Sequence, residues 1–167
     1  MNLYLLRHGI AVDRAESDPA KDSERPLTAK GKQRLWESTK AMEALELNFK
    51  VILSSPYLRA MQTAEIVAEA FTLRKKLIFT DKLAPGGNPK ALIEQINALK
   101  PAAKNILLVG HEPYLSQFIA TLTGGGPKLQ LELRKGGLAK LETEALRYGR
   151  CATLAWLLTP KQMLAMG

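Results

Sequence analysis

The sequence predicts an α/β protein, built as three layers (α/β/α) around a mostly parallel central sheet with an antiparallel edge strand. Three observations carry that expectation. Short apolar runs of strand length alternate with segments whose apolar residues recur every three or four positions. The first run is apolar throughout, as a strand covered on both faces is. The chain of 167 residues, 46% hydrophobic and 24% charged, is long enough to bury a core without staples and reads as one domain spanning 1–167.

The elements follow in order. Leu3 to Leu6 reads as the first strand. Thr28 is placed to cap a helix whose inward positions include Leu35, Met42 and Leu45. Val51-Ile52-Leu53 is a second strand, which Ser54-Ser55-Pro56 turns into another helix. There Tyr57, Met61, Ala64, Ala68 and Phe71 form an amphipathic stripe. Leu77-Ile78-Phe79 is a third strand, and the turn-rich Ala84 to Pro89 leads to a helix with Leu92, Ile93, Ile96 and Leu99 on one face, closed by Pro101. Ile106 to Val109 is the fourth strand, followed by a helix with Leu115, Phe118, Ile119 and Leu122 inward and a terminator at Thr123-Gly124-Gly125-Gly126-Pro127. Leu138 to Glu142 and Ala152 to Leu158 form a hairpin or antiparallel edge, and the link 143–151 carries no assignment. Trp36 and Trp156 read as packing residues.

Composition narrows the function. A single cysteine, Cys151, allows no intramolecular disulfide and no cysteine-based zinc site, and reads as a small core residue. No apolar run approaches the roughly 20 residues of a membrane helix. Met1 to Leu6 is stopped by Arg7 and His8 and lacks a basic leader, so a cytoplasmic protein is expected. The net charge of +8 favours anionic partners, but the basic residues are scattered, as on a solvated face, and no aromatics interleave with them as a single-strand nucleic-acid platform would need.

In open α/β sheets ligands bind at the carboxyl ends of the parallel strands. The first strand delivers Arg7-His8-Gly9, the second Ser54-Ser55-Pro56 with Arg59 on the following helix, and the fourth Gly110-His111-Glu112. Both histidines of the chain thus fall at one edge with two arginines. Guanidiniums hold a phosphoryl group by paired hydrogen bonds. A neutral imidazole can attack phosphorus and carry the group covalently, while a second imidazole, if protonated, can donate to an equatorial oxygen. Gly9 would let backbone approach the ligand closely. Helix starts after Pro56 and Pro113 would turn amide dipoles toward an anion. Each residue also has a plain structural reading: a strand-end histidine as a packing group, and Arg59 as a partner of Glu65 or another acid. Their joint placement favours the chemical one. His111-Glu112 does not extend into a zinc helix motif, because position 115 is leucine. No metal or cofactor is called for.

These residues resemble a known family. Leu6-Arg7-His8-Gly9 is similar to the Arg-His-Gly signature of the histidine phosphatase superfamily, whose first branch includes the cofactor-dependent phosphoglycerate mutases. Pro26 to Gly31, Ser54 to Ala64 and Val109 to Pro113 match further family blocks in family order. The resemblance implies a phosphoglycerate mutase-like fold without a lid domain, His8 as the phosphorylated nucleophile, Arg7 and Arg59 as phosphate ligands, and His111 as the partner stabilising the transferring group. Arg25-Pro26-Leu27-Thr28, the compact length and Arg134 to Ala139 are most similar to the SixA-type phosphohistidine phosphatases. Arg25 is then a further phosphate contact, and Gly9, Ser55 and Glu112 complete the candidate substrate-binding set.

One departure matters. Mutases and many sugar phosphatases of the family carry a glutamate after the third strand as proton donor, whereas this chain has Thr80-Asp81-Lys82-Leu83-Ala84-Pro85. An alkoxide leaving group needs an acid; a ring-protonated phosphohistidine releases neutral imidazole without one. The expected substrate is therefore phosphohistidine on a protein, such as a histidine-containing phosphotransfer domain or a phosphocarrier protein. A monomer is expected, since neither a heptad pattern nor a large exposed apolar stripe is evident, with no nucleic-acid or membrane partner. The alternatives are a small-molecule phosphomonoesterase using Asp81 or Glu112 as acid, and a non-catalytic module that binds anions or phosphoproteins.

Overall fold

The computed structural model describes residues 1–16, 18–124 and 129–167, and builds them around one six-stranded sheet. The strands are β1 (Asn2–Arg7), β2 (Val51–Ser54), β3 (Leu77–Phe79), β4 (Asn105–Gly110), β5 (Leu138–Glu142) and β6 (Thr153–Leu158), in the order β3-β2-β4-β1-β5-β6. The first four in that order pair in parallel, and β5 and β6 add antiparallel. This is the expected mixed sheet, with an antiparallel edge that is two strands wide rather than one.

Side chains alternate faces along a strand, so each central strand feeds two cores. Leu3, Leu5, Leu53, Ile106 and Leu108 pack against α3 (Pro89–Asn97) and α4 (Tyr114–Thr123). Tyr4, Leu6, Ile52, Leu107 and Val109 pack against α1 (Ala29–Ala44), α2 (Leu58–Ala70) and α5 (Pro160–Leu164). Helices thus cover both faces.

Local signals set the helix ends. Thr28 Oγ1 accepts the Gly31 N–H at 2.9 Å and caps α1 as expected. Asn88 caps α3. Gly124 closes α4 in the left-handed conformation, with φ of +84°, where a side chain would be strained. The rest of that expected terminator, 125–127, lies outside the described residues.

Three expectations need correction. Leu45 is not inward: the helix ends at Ala44, Leu45 is its C-cap at 36% exposure, and Phe49 fills the core instead. Trp36 lies on the outer face of α1 at 40% exposure, whereas Trp156 packs on Tyr4. Tyr57 precedes α2 as its N-cap, and the buried stripe of that helix runs through Ala60, Ala64, Val67 and Ala68. The segment after β3 is a single 3-10 turn, Asp81–Leu83, then a short loop to α3, so no lid domain is inserted there. Among the described residues no helix is long and apolar enough to cross a membrane.

Candidate active site

The sheet register brings the strand ends together. Arg7 of β1 lies opposite Gly110 of β4, and the His8 N–H donates to the Gly110 carbonyl at 3.0 Å. The residues that follow, His8 and His111, therefore leave the sheet at one level, with ring centroids 5.1 Å apart and planes at 55°. On the other side of β4, Ser54 lies opposite Val109, so the chain leaving β2 carries Arg59 to the same end. Arg59 Nε donates to His8 Nε2 at 3.2 Å. These groups floor a cleft of about 530 Å³ that Arg7, His8, Arg25, Arg59, His111 and Glu112 help to line.

The hydrogen bonds fix what each imidazole offers. His8 Nδ1 lies 2.8 Å from the Gly9 carbonyl oxygen, which can only accept. Nδ1 therefore carries the proton, and Nε2 presents a lone pair toward Arg59. Burial pushes the His8 pKa down to about 3; the Gly9 bond opposes this, and the charges of His111, Arg59 and Arg7 add to it. A neutral ring with an unprotonated Nε2 is the nucleophilic form.

His111 is held through its other ring nitrogen. Its Nε2 lies 2.7 Å from Ser55 Oγ, and that hydroxyl accepts the Tyr57 N–H at 3.2 Å. With Ser55 as the donor to Nε2, the neutral His111 ring carries its proton on Nδ1. That atom is buried and has no partner among the described residues. Burial, with Arg59 next in weight, lowers the His111 pKa to about 3. Burial thus favours the neutral ring, which donates to a ligand through Nδ1–H when Ser55 is the donor to Nε2.

Both arginines are tied down. Arg7 Nη1 donates to Leu133 O at 3.0 Å, while its buried Nε has no partner among the described residues. Arg59, 2% exposed, donates through Nη1 to Asp22 O at 2.7 Å and through Nη2 to Asp22 Oδ2 at 3.0 Å. Its guanidinium carbon also sits 5.2 Å from the centre of the Tyr57 ring.

The remaining candidates divide. Arg25 lines the cleft, with Nε on Asp22 Oδ1 at 2.9 Å and Nη1 on Val12 O at 2.6 Å. Glu112 also lines it. Gly9 does not: a Cβ there would come within 2.7 Å of Leu35 Cδ1, so its close approach is to the core rather than to a ligand. Ser55, fully buried, hydrogen-bonds His111 Nε2 and does not line the cleft. Asp81 is exposed and lies outside the cleft lining.

Several site residues were not singled out from sequence. Asp22 joins Arg25 and Arg59, with Arg14 Nε at 3.3 Å. Burial pushes its carboxyl up, but the hydrogen bonds and charges of Arg25 and Arg59 outweigh that and hold it below its ordinary value. The spacing Asp22 to Arg25 was the available signal. Thr63 accepts the Gly9 N–H at 3.1 Å and donates to Arg59 O at 2.7 Å, linking the nucleophile's loop to α2. Tyr57 sets its ring against His111 at 5.2 Å, and Lys135 lines the cleft. Among the described residues no group of three His, Cys, Asp or Glu side chains is placed to hold a metal ion.

Residues 3–84 match the model of the histidine phosphatase superfamily, branch 1. An uncharacterised protein of Picosynechococcus is 41% identical over 149 residues, covering 88% of each chain. A phosphohistidine phosphatase SixA homolog of Haemophilus influenzae is 31% identical over 132 residues, covering 74% of this chain and 78% of its own. Among solved structures, that of the protein histidine phosphatase SixA complexed with tungstate superposes with a TM-score of 0.81 at 25% identity, covering 96% of this chain and 98% of the other.

Proposed function

This chain belongs to the histidine phosphatase superfamily and is a phosphatase of that type, and from that premise we propose that it hydrolyses phosphohistidine on proteins through a phosphoryl group carried by His8 Nε2. The observation that carries the reading is the pairing of two buried imidazoles in one cleft, His8 with its lone pair on Nε2 and His111 with an unpartnered Nδ1, their ring centroids 5.1 Å apart. A phosphoryl group entering the cleft draws the Arg59 Nε–H from His8 Nε2 onto one of its oxygens and meets the freed lone pair at phosphorus. Arg7 and Arg59 neutralise its oxygens, and the His111 Nδ1–H bonds the oxygen on which charge builds. The His8 Nδ1–H stays on the Gly9 carbonyl throughout. Water then attacks the phosphorylated ring, and inorganic phosphate leaves.

Support for the substrate class comes from two directions. The relatives whose names state an activity include phosphohistidine phosphatases, and one such structure holds tungstate, a tetrahedral oxyanion like phosphate. The missing lid leaves room for a protein surface at the cleft mouth, consistent with a phosphotransfer domain or phosphocarrier protein in the cytoplasm as partner.

The direct test uses a phosphohistidine-bearing phosphotransfer domain. His8→Ala lowers its dephosphorylation at least about a thousandfold, and the wild-type protein, quenched in alkali during turnover, carries phosphate on His8. Unchanged turnover by the variant overturns the reading. A second reading, a phosphomonoesterase for small molecules, is favoured by Glu112, a half-buried carboxyl in the cleft wall. It predicts faster hydrolysis of sugar phosphates than of the phosphohistidine domain.

A further inference from the structure

Beside the first cleft lies a second of about 440 Å³, lined in part by Tyr114, Gln117, Phe118 and Tyr148. The two share Pro85, Glu112 and Pro113 as a common wall. Glu112 is the titratable group of that wall. Its Oε2 accepts the Ser116 Oγ–H, while its Oε1 is buried and has no partner among the described residues. A carboxylate oxygen without a donor or water is costly, whereas a carboxylic acid needs fewer donors. Burial accordingly raises the Glu112 pKa, against the opposing pull of Ser116 and Arg7. A carboxyl whose pKa burial raises therefore stands beside His111, in the wall between the two clefts.

We propose that Glu112 exchanges the proton of the reaction with the leaving group, and that the second cleft receives the imidazole side of the phosphohistidine substrate. The inference deepens the function proposed above and rests on it. In the first step Glu112 gives its proton to the free ring nitrogen of the substrate. His8 Nε2 then forms its bond to phosphorus, the substrate's P–N bond breaks with its electron pair returning to the ring, and neutral imidazole departs. Glu112 is left as carboxylate, and His8 carries the phosphoryl group with Nδ1–H still on Gly9. In the second step water attacks phosphorus. One of its protons goes to Glu112 and the other stays on the released phosphate, while the P–N bond pair returns to His8 Nε2. Acid and nucleophile end as they began, and no further reactant is needed. The enzyme acid that the sequence reading left out for a phosphohistidine is thus supplied from the end of the fourth strand.

The test compares Glu112→Gln, which keeps the shape, with wild type in single-turnover reactions on two substrates. Phosphohistidine domain needs a proton on its leaving ring; 2,4-dinitrophenyl phosphate does not. The variant is expected to lose about a hundredfold or more on phosphohistidine, the usual contribution of a positioned acid, and at least tenfold less than that on the dinitrophenyl ester. It should also accumulate phosphorylated His8 from the ester, because hydrolysis has lost its base. Equal losses on both substrates, or no loss on phosphohistidine, overturn the assignment of Glu112. Absence of phosphorylated His8 in wild type and variant alike instead overturns the function on which it rests.

Discussion

Acidification from about pH 7 to 5 destabilises this fold through its two histidines, and the magnitude follows from their burial. His8 and His111 are 6% and 2% exposed, and each titrates near 3 in the folded chain against 6.5 when free. A folded pKa below the unfolded one means that the unfolded chain binds the proton first. Stability is then full above the unfolded value and falls as pH drops from there toward the folded value. At about pH 5 the unfolded chain gains about 2 kcal/mol per histidine from protonation, so the pair costs about 4 kcal/mol. For a domain of this size that corresponds to a melting temperature lower by about 10 °C. Asp22 stays silent in this window, because its depressed pKa removes stability only below the ordinary carboxylate range. Glu112, raised, acts in the opposite sense and trims the loss. Calorimetry across the window, repeated on His111→Asn, isolates the effect: the variant should show about half the wild-type slope. A melting temperature flat within about 2 °C, or an unaltered slope in the variant, would refute the claim that both rings are held neutral.

Two further substitutions probe how the site is held. Asp22→Ala removes charge-assisted bonds to Arg25 and Arg59; at 27% exposure of the aspartate this should cost about 3 kcal/mol in urea denaturation, and a loss below about 1 kcal/mol would show that water replaces the carboxylate. Ser55→Ala removes the hydroxyl hydrogen-bonded to His111 Nε2. Turnover should fall about tenfold, close to the value of one neutral hydrogen bond, and the ring nitrogen shifts of His111 in NMR should report loss of the single tautomer; an unchanged tautomer counts against the role given to Ser55.

The features legible in the sequence were those written in local, periodic terms. Strands at Leu3, Val51, Leu77 and Ile106 declared themselves as apolar runs, and their order with helices implied a covered parallel sheet. Because strand ends sit together in such a sheet, Arg7, His8, Arg59 and His111 could be placed in one region without coordinates. What the sequence did not disclose depends on how irregular segments return to that region. Asp22 lies in a 3-10 segment, Pro19–Glu24, with no apolar period to anchor it, and only folding brings it to Arg59. Tyr57 shares the spacing of a core stripe but ends against His111, because the helix begins one residue after it. The short helix α5 was not assigned from the sequence; a Thr159–Gln162 capping box with Pro160 at the first position starts it, and its Met163 closes the core under α1.

Reactivity and instability share one origin in this architecture. The packing that buries His8 and His111 is the packing of strand ends against helix starts that the sheet requires anyway. That burial lowers both histidine pKa values, which supplies an uncharged nucleophile above about pH 4 and makes the fold vulnerable to acid. The same burial acts with opposite sign on a carboxyl, so Glu112, one residue beyond His111, is pushed toward the protonated form by the environment that deprotonates its neighbour. A base and an acid are thereby set side by side by burial alone. The dinitrophenyl comparison on Glu112→Gln and the acid slope of His111→Asn therefore interrogate one physical cause from two ends: chemistry that fails with the first, and stability that recovers with the second.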